Sequence, residues 1–185
     1  MAPQISWDPR VGTDVIRILY TGGRHERIGG RYYLVPPMDP SARQVVRNLY
    51  AILRPFAHAR GLGQVYLNPV DFVLGSDDVI QPDLVFIRTE HVSTERLRLR
   101  AWAPDLIIKA IMPQERDLAL AKVRLCETYL IPDYWLVDPV QQQIEVLRLT
   151  SSGNLESTTL RRHLNDTLVC SQPQGLQIPL AEVFD

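Results

Sequence analysis

Two lysines and an aspartate are the residues of this chain whose types and settings could do chemistry. Lys109 interrupts the aliphatic run Leu106-Ile107-Ile108-Lys109-Ala110-Ile111, and Lys122 falls inside a helical apolar pattern. Lysine and arginine together number 20, and these two positions are the only lysines. Asp83 follows Pro82 and opens a second aliphatic run, Leu84-Val85-Phe86-Ile87. A buried, unpaired ammonium is costly even after the surroundings relax. Each lysine therefore reaches solvent along its stem, finds an anionic partner or loses its proton. The nearest anionic candidate is Asp83. Because Pro82 cannot donate to a sheet ladder, Asp83 is expected at a strand end or a bulge. The plainer alternative, lysines that snorkel from a strand end and a helix end, stays open on this reading.

The elements that must position these residues follow from periodicity. Strand alternation over residues 105–112 puts Asp105, Ile107, Lys109 and Ile111 on one face, with Leu106, Ile108, Ala110 and Met112 on the other. The next segment, PQERDLALAKVRLCETYL, carries Leu118, Ala121, Leu125 and Tyr129 at helical spacing and should end before Pro132. At roughly 100° per residue, Lys122 lies about 40° from Leu118, between Tyr129 and Cys126, so it belongs to the apolar stripe. Upstream, RHERIGGRYYLVPP reads as a hairpin about Gly29-Gly30. A helix follows, with Asp39 as N-cap, Pro40 at its first position, a kink at Pro55 and a stop at Gly61. The runs 63–75 and 79–87 read as two strands in hairpin-like succession. DYWLVDP, QIEVLRL, a partner around TTLRRHL, and a last pair, TLVC with GLQIPLAEVF, complete the order.

That order predicts an α/β domain with a central sheet between helices. At 185 residues, with 45% hydrophobic and 22% charged, the chain can bury a sizeable core and is far from the disordered range. With no repeat or linker to divide it, one domain over 1–185 is expected. The net charge of −1 excludes a globally basic protein, although arginines can still cluster on one face. Two distant cysteines, Cys126 and Cys170, give neither a disulfide framework nor a zinc spacing. No apolar run reaches the ~18 to 20 residues that span a bilayer, and the first residues lack a signal-peptide layout. A soluble cytoplasmic protein is expected.

Other polar features carry plainer readings. His25, His58, His91 and His163 share no metal-binding spacing and read as surface or structural histidines. Asp105 and Asp138, each beside a proline, read as caps. Glu115 and Asp117 stand where first-turn acids complement a helix dipole, although either could replace a metal ligand. Arg88, Arg96, Arg98 and Arg100 are interleaved with Glu90 and Glu95 and read as a solvated loop before a phosphate contact. Gly61-Leu62-Gly63 is too short and wrongly placed for a nucleotide loop, so no nucleotide cofactor is expected.

Several blocks, taken in order, resemble a known family: HERIGGRYYLVPP, VVRNLYAILRPFAHARGLGQVYLNPVDFVL, VIQPDLVFI, APDLIIKAIMP and KVRLCETYLIPDYWLVDP. They are similar to the Uma-two restriction-endonuclease family, a branch of the PD-(D/E)-x-K nuclease superfamily, over roughly residues 24–150. The resemblance implies a restriction-endonuclease-like fold: a mixed sheet between helices, with extra antiparallel hairpins at the N- and C-terminal ends. It also implies DNA as the partner and Mg²⁺ held by an aspartate and a second acid, with a lysine that positions water or phosphate. Carried over, Asp83 matches the Pro-Asp aspartate, Lys122 the lysine of the following helix, and Glu26 the accessory glutamate before the hairpin glycines. The strand from Tyr134-Trp135 to Asp138-Pro139 matches a structural element.

Two positions depart from the pattern. Family members carry Val-Glu-Val where this chain has Ile108-Lys109-Ala110, so an ammonium replaces the second metal-binding carboxylate. A histidine common in the first helix is Ala42 here. If Lys109 is taken instead as the lysine of the (D/E)-x-K triplet, the acidic position falls on Ile107. The expectation is a substituted site in which Lys109 occupies the metal's place and pairs with Asp83 and also with Glu26. The rivals are an active nuclease recruiting Glu115, Asp117 or a dimer partner's carboxylate, and a non-enzymatic module that binds DNA or protein. Exposed strand edges near the C-terminal hairpins also make a homodimer an expectation.

Overall fold

Gly29 and Gly30 both adopt positive φ, 57° and 76°, which closes the two-residue turn between β2 (Arg24–Ile28) and β3 (Arg31–Val35). The structure is a computed structural model that describes residues 4–5, 24–67, 71–92, 104–112 and 115–185. Arg96, Arg98 and Arg100, together with the side chains of Asp117, Leu118 and Ala121, lie outside what is described. With β1 (Gln4–Ile5), β5 (Phe72–Val73) and β6 (Val79–Ile80), the first hairpin forms a five-stranded sheet in the order β1-β3-β2-β6-β5.

The first long helix, α1 (Pro40–Ala59), begins as expected, with Asp39 accepting from the amide of Ser41 at 2.9 Å and Pro40 in the first turn. Pro55 lies inside it, and Gly61, at φ 63°, follows its end. Its inner face, which includes Val45, Val46, Leu49, Leu53 and Ala57, packs on the central sheet. That sheet has the order β11-β10-β9-β8-β7-β4. Its members are β4 (Gly63–Leu67), β7 (Leu84–Arg88), β8 (Leu106–Ala110), β9 (Asp133–Asp138), β10 (Gln143–Leu149) and β11 (Leu155–Arg161).

All of its neighbours are antiparallel except β8 and β9. A parallel pair requires a crossover, and α2 (Arg116–Thr128) supplies it. Alternation sorts the strand residues cleanly. Leu106, Ile108, Ala110, Trp135 and Val137 join the α1 core, whereas Ile107, Tyr134 and Leu136 join the α2 core with Leu125 and Cys126. A short hairpin, β12 (Thr167–Val169) with β13 (Gln177–Pro179), and a last helix, α3 (Leu180–Val183), close the α1 side.

One expectation is corrected. The runs 63–75 and 79–87 are not two strands but four, because the chain leaves the central sheet after β4, forms β5 and β6 in the N-terminal sheet, and returns as β7. The return falls at Gln81-Pro82, where the missing proline N–H removes a ladder donor and lets one strand end before the next begins. The crossing puts Asp83, the first residue of the return, at the junction of the two sheets.

Candidate active site

Asp83 stands immediately before β7, as its proline predicts. The register Leu84↔Ile108 and Val85↔Ile107, continued by one residue, sets Asp83 opposite Lys109 on the α2 face of the sheet. The pairing follows. Lys109 Nζ donates to Asp83 Oδ2 at 2.9 Å and Oδ1 at 3.1 Å, and the Ala110 amide donates to Oδ2 at 3.0 Å. Asp83 is 0% exposed and Lys109 6%. The snorkelling alternative is therefore set aside for Lys109, which ends on a carboxylate inside the protein.

Glu26 reaches the same region from β2. Its Oε1 accepts the Gln81 amide at 2.8 Å, one residue before Pro82, and its Oε2 pairs with Lys122 Nζ. This corrects part of the expectation: the cation against Glu26 is Lys122, not Lys109. Lys122 is placed by α2, whose inner stripe also carries Ala119, Leu125 and Cys126. The helix is fixed relative to β2 by a second set of bonds. Tyr129 at its C-terminal end donates to Asp78 Oδ2 at 2.6 Å, and Asp78 Oδ1 accepts the Gly29 amide at 2.7 Å. The β5–β6 turn thus clamps the glycine turn of the first hairpin to α2 and holds Glu26 over Lys122.

The four groups form one electrostatic unit. Burial pulls the Lys122 ammonium below its ordinary pKa; Glu26 opposes that, Lys109 adds to it, and Asp83 also opposes it. Two carboxylates and two ammoniums leave the cluster without net charge. Sequence reasoning did not assign a role here to Tyr134. Its phenol is buried without a hydrogen-bond partner, and burial raises its pKa well above 10, followed by Cys126 and by the carboxylates of Glu26 and Asp83. The signal was thin: Tyr134 carries the one hydroxyl in β9, and its parity sends it to the face that holds Lys109.

Other residues named from sequence lie elsewhere. Asp105 is at the opposite end of β8, where its carboxylate accepts from the Arg88 amide and Nε, both at 2.8 Å, and meets His91 Nδ1 at 3.0 Å. It is the hub of a small network and not merely a cap. Asp138 does cap a turn, accepting the amides of Val140 and Gln141. Glu115 accepts the Met112 amide at 3.0 Å at the start of α2, and Ala42 is buried in α1 against the sheet.

A mixed sheet with one helix layer on each face, and a Pro-Asp at the junction of two sheets, define a restriction-endonuclease-like fold. Residues 14–181 match the family described as "Putative restriction endonuclease" (Uma2), and the chain belongs to that family. Among solved structures it is similar to "a putative nuclease belonging to DUF820 from Anabaena variabilis", at 15% identity and a TM-score of 0.75, covering 88% of this chain and 90% of that one. No curated protein matches the sequence.

Proteins of this family generally use a divalent metal, and the residues present do not fit one. Each oxygen of Asp83 and Glu26 already faces a donor. A cation such as Mg²⁺ demands several oxygen ligands at about 2.0–2.1 Å and would here sit beside two ammoniums. Among the described residues no group of three or more His, Cys, Asp or Glu side chains is placed to hold a metal ion.

Proposed function

We propose that this protein is a DNA-directed member of the nuclease family whose metal centre has been replaced by two buried ion pairs. In this reading Asp83 is the surviving metal-ligand position, Glu26 the accessory carboxylate and Lys122 the phosphate- or water-positioning residue. Lys109 is the substitution that disables hydrolysis. The carrying observation is the Lys109 ammonium held between both oxygens of Asp83, a cation of the protein's own in the place the family gives to Mg²⁺. DNA is the proposed partner and the cytoplasm the proposed location. Among the described residues no helix is long and apolar enough to cross a membrane. The open edge of β11 supports a homodimer, measurable by sedimentation.

A rival in which Glu115 serves as the missing ligand is disfavoured, because that carboxylate is held by the Met112 amide. The test is Lys109→Glu, which restores the family residue. Titrated with Mn²⁺ and followed by calorimetry, the wild-type protein should show no binding and the variant should gain a site. The variant should then be assayed on plasmid DNA. Cleavage by the wild-type protein that disappears in Asp83→Ala would overturn the reading.

A further inference from the structure

The outer flank of α1 carries a pattern that the buried site does not use. The 20-residue helix contains no aspartate or glutamate, and Arg43, Arg47, Arg54 and His58 are all exposed. At roughly 100° per residue, Arg43, Arg47, Tyr50, Arg54 and His58 fall within a sector of about 80°. The helix's buried residues, Ala42, Val45, Val46, Leu49, Leu53 and Ala57, occupy the sector from about 200° to 320°. The stripe therefore runs beside the sheet-facing side, toward β4, and spans about 22 Å at 1.5 Å per residue.

Among the described residues its guanidiniums are not used in internal ion pairs, a property they share with Arg27, Arg31, Arg60 and Arg124 but not with three others. Arg88, Arg148 and Arg162 are each ion-paired to a carboxylate, whereas among the described residues Arg43, Arg47 and Arg54 have none. Arg43 reaches only the Met38 carbonyl, and Arg54 lies over the Tyr50 ring at 5.9 Å from its centroid. Asp39 caps the N-terminus of α1 through Ser41, one turn before Arg43, and Glu182 and Asp185 border the helix's other flank at Gln44 and Asn48, about 100° and about 140° around from Arg43. A groove of about 330 Å³ opens beside the stripe, between Tyr50, Arg54 and His58 on the helix and Gly63, Gln64 and Val65 on β4. β4 is an edge strand of the central sheet.

We propose that this stripe and groove bind the phosphate backbone of a nucleic-acid strand, on the face of the central sheet opposite the Asp83–Lys109 site. Arginine forks match phosphate oxygens two at a time, and an aromatic beside them offers a surface for a base or sugar in the groove. No large apolar side chain of α1 is exposed among the described residues, as insertion into a membrane surface would need. The surface is independent of the metal question, because it shares no residue with the buried site.

The test is binding of a fluorescent 20-nucleotide single strand, and of the same sequence as duplex, followed by anisotropy across a salt series in EDTA so that no cleavage intervenes. Three phosphate contacts predict a slope of log K against log salt near −2 for the single strand and near −3 for the duplex, so affinity falls roughly 20- to 40-fold from 50 to 200 mM salt. The slope tells which form is held. Arg43→Glu/Arg47→Glu/Arg54→Glu, checked for unchanged melting, should lose at least about ten-fold in affinity and most of the slope. The triple lysine variant should keep the slope, and Arg124→Glu on α2 should bind like the wild-type protein.

Undiminished binding by the triple glutamate variant would overturn the proposal. So would failure to bind either nucleic acid while polyglutamate or phosphatidylserine vesicles are bound. The proposal rests on the nucleic-acid partner of the proposed function but not on its metal site, and because metal binding by Lys109→Glu is read in a separate experiment, the substituted-site reading can fail without this one.

Discussion

Three successive strands of the central sheet open on the same dipeptide, yet the two ends of the sheet use it differently. Pro82-Asp83 precedes β7, Pro104-Asp105 precedes β8, and Pro132-Asp133 brackets the start of β9. Because β7 is antiparallel to β8 while β8 and β9 are parallel, Asp105 and Asp133 stand at one end and Asp83 at the other. All three carboxylates are essentially out of water, at 0%, 2% and 0% exposure for Asp83, Asp105 and Asp133. What differs is the partner. Asp105 and Asp133 bind Arg88, His91 and Arg148, side chains that remain 31–44% exposed, whereas Asp83 binds a lysine only 7% exposed that stands in the field of a second buried pair. A Pro-Asp that opens a strand is thus a way to place a carboxylate at a sheet end. Only where the cation is buried as well, and other charges converge, does it become a candidate centre.

The strongest way to break this contrast is to remove one cation from each end. Lys109→Met leaves Asp83 charged, buried and unpaired and should cost about 3–5 kcal/mol in denaturant unfolding. Asp83→Asn/Lys109→Met should recover most of that, since both charges are gone. His91→Ala at the other end should cost under about 1.5 kcal/mol, because Arg88 still serves Asp105 and water can reach the gap. Equal losses at the two ends would show that the burial of the partner is not what separates them.

A second, smaller effect belongs to Asp133. Burial raises its pKa from 3.8 to about 6, with Arg148 opposing, and its carboxylate also accepts from Ser171. Below pH 4 both folded and unfolded states hold the proton. Between about pH 4 and 6 the folded state keeps a proton that the unfolded chain has released, so stability falls as pH rises and levels off above that window. The total is at most roughly 3 kcal/mol, the equivalent of about two pKa units. Asp133→Asn should flatten this segment of the stability profile measured by urea titration. If the Asp133→Asn variant instead loses a rise in stability between about pH 4 and 6 that the wild-type protein shows, Arg148 outweighs burial and Asp133 is held as a charge.

Much of this arrangement was legible from the chain. Asp39-Pro40 and Gly61 bound α1, Gly29-Gly30 marked the hairpin, and the placement of Lys109 and Lys122 among apolar neighbours marked both as buried or snorkelling, a choice the structure settled toward burial. What was not legible is long-range. Nothing local distinguishes β5 and β6 from the strands that flank them, because Phe72-Val73 and Val79-Ile80 have the same alternating apolar character as β4 and β7. The split depends on which sheet offers a free edge. The exchange of cations was hidden for the same reason: Glu26 meets Lys122 only because the Asp78 clamp brings α2 over β2. Pro132-Asp133 read as a helix stop, and its carboxylate gained meaning only when Arg148 on β10 came opposite it.

The finest probe of the comparison is one residue further along β9. Asp133 and Tyr134 are consecutive, so alternation sends them to opposite faces, Asp133 to Arg148 and the C-terminal hairpin, Tyr134 to the face of Glu26 and Asp83. A buried hydroxyl without a partner adds a desolvation cost and returns no bond, so Tyr134→Phe should leave stability unchanged or raise it by up to about 1 kcal/mol. A loss above about 1.5 kcal/mol would show that the phenol donates to one of the two carboxylates in solution. The centre would then hold five coupled groups, and the end of the sheet that carries Asp83 would differ from the other in hydrogen bonding as well as in the burial of its cations.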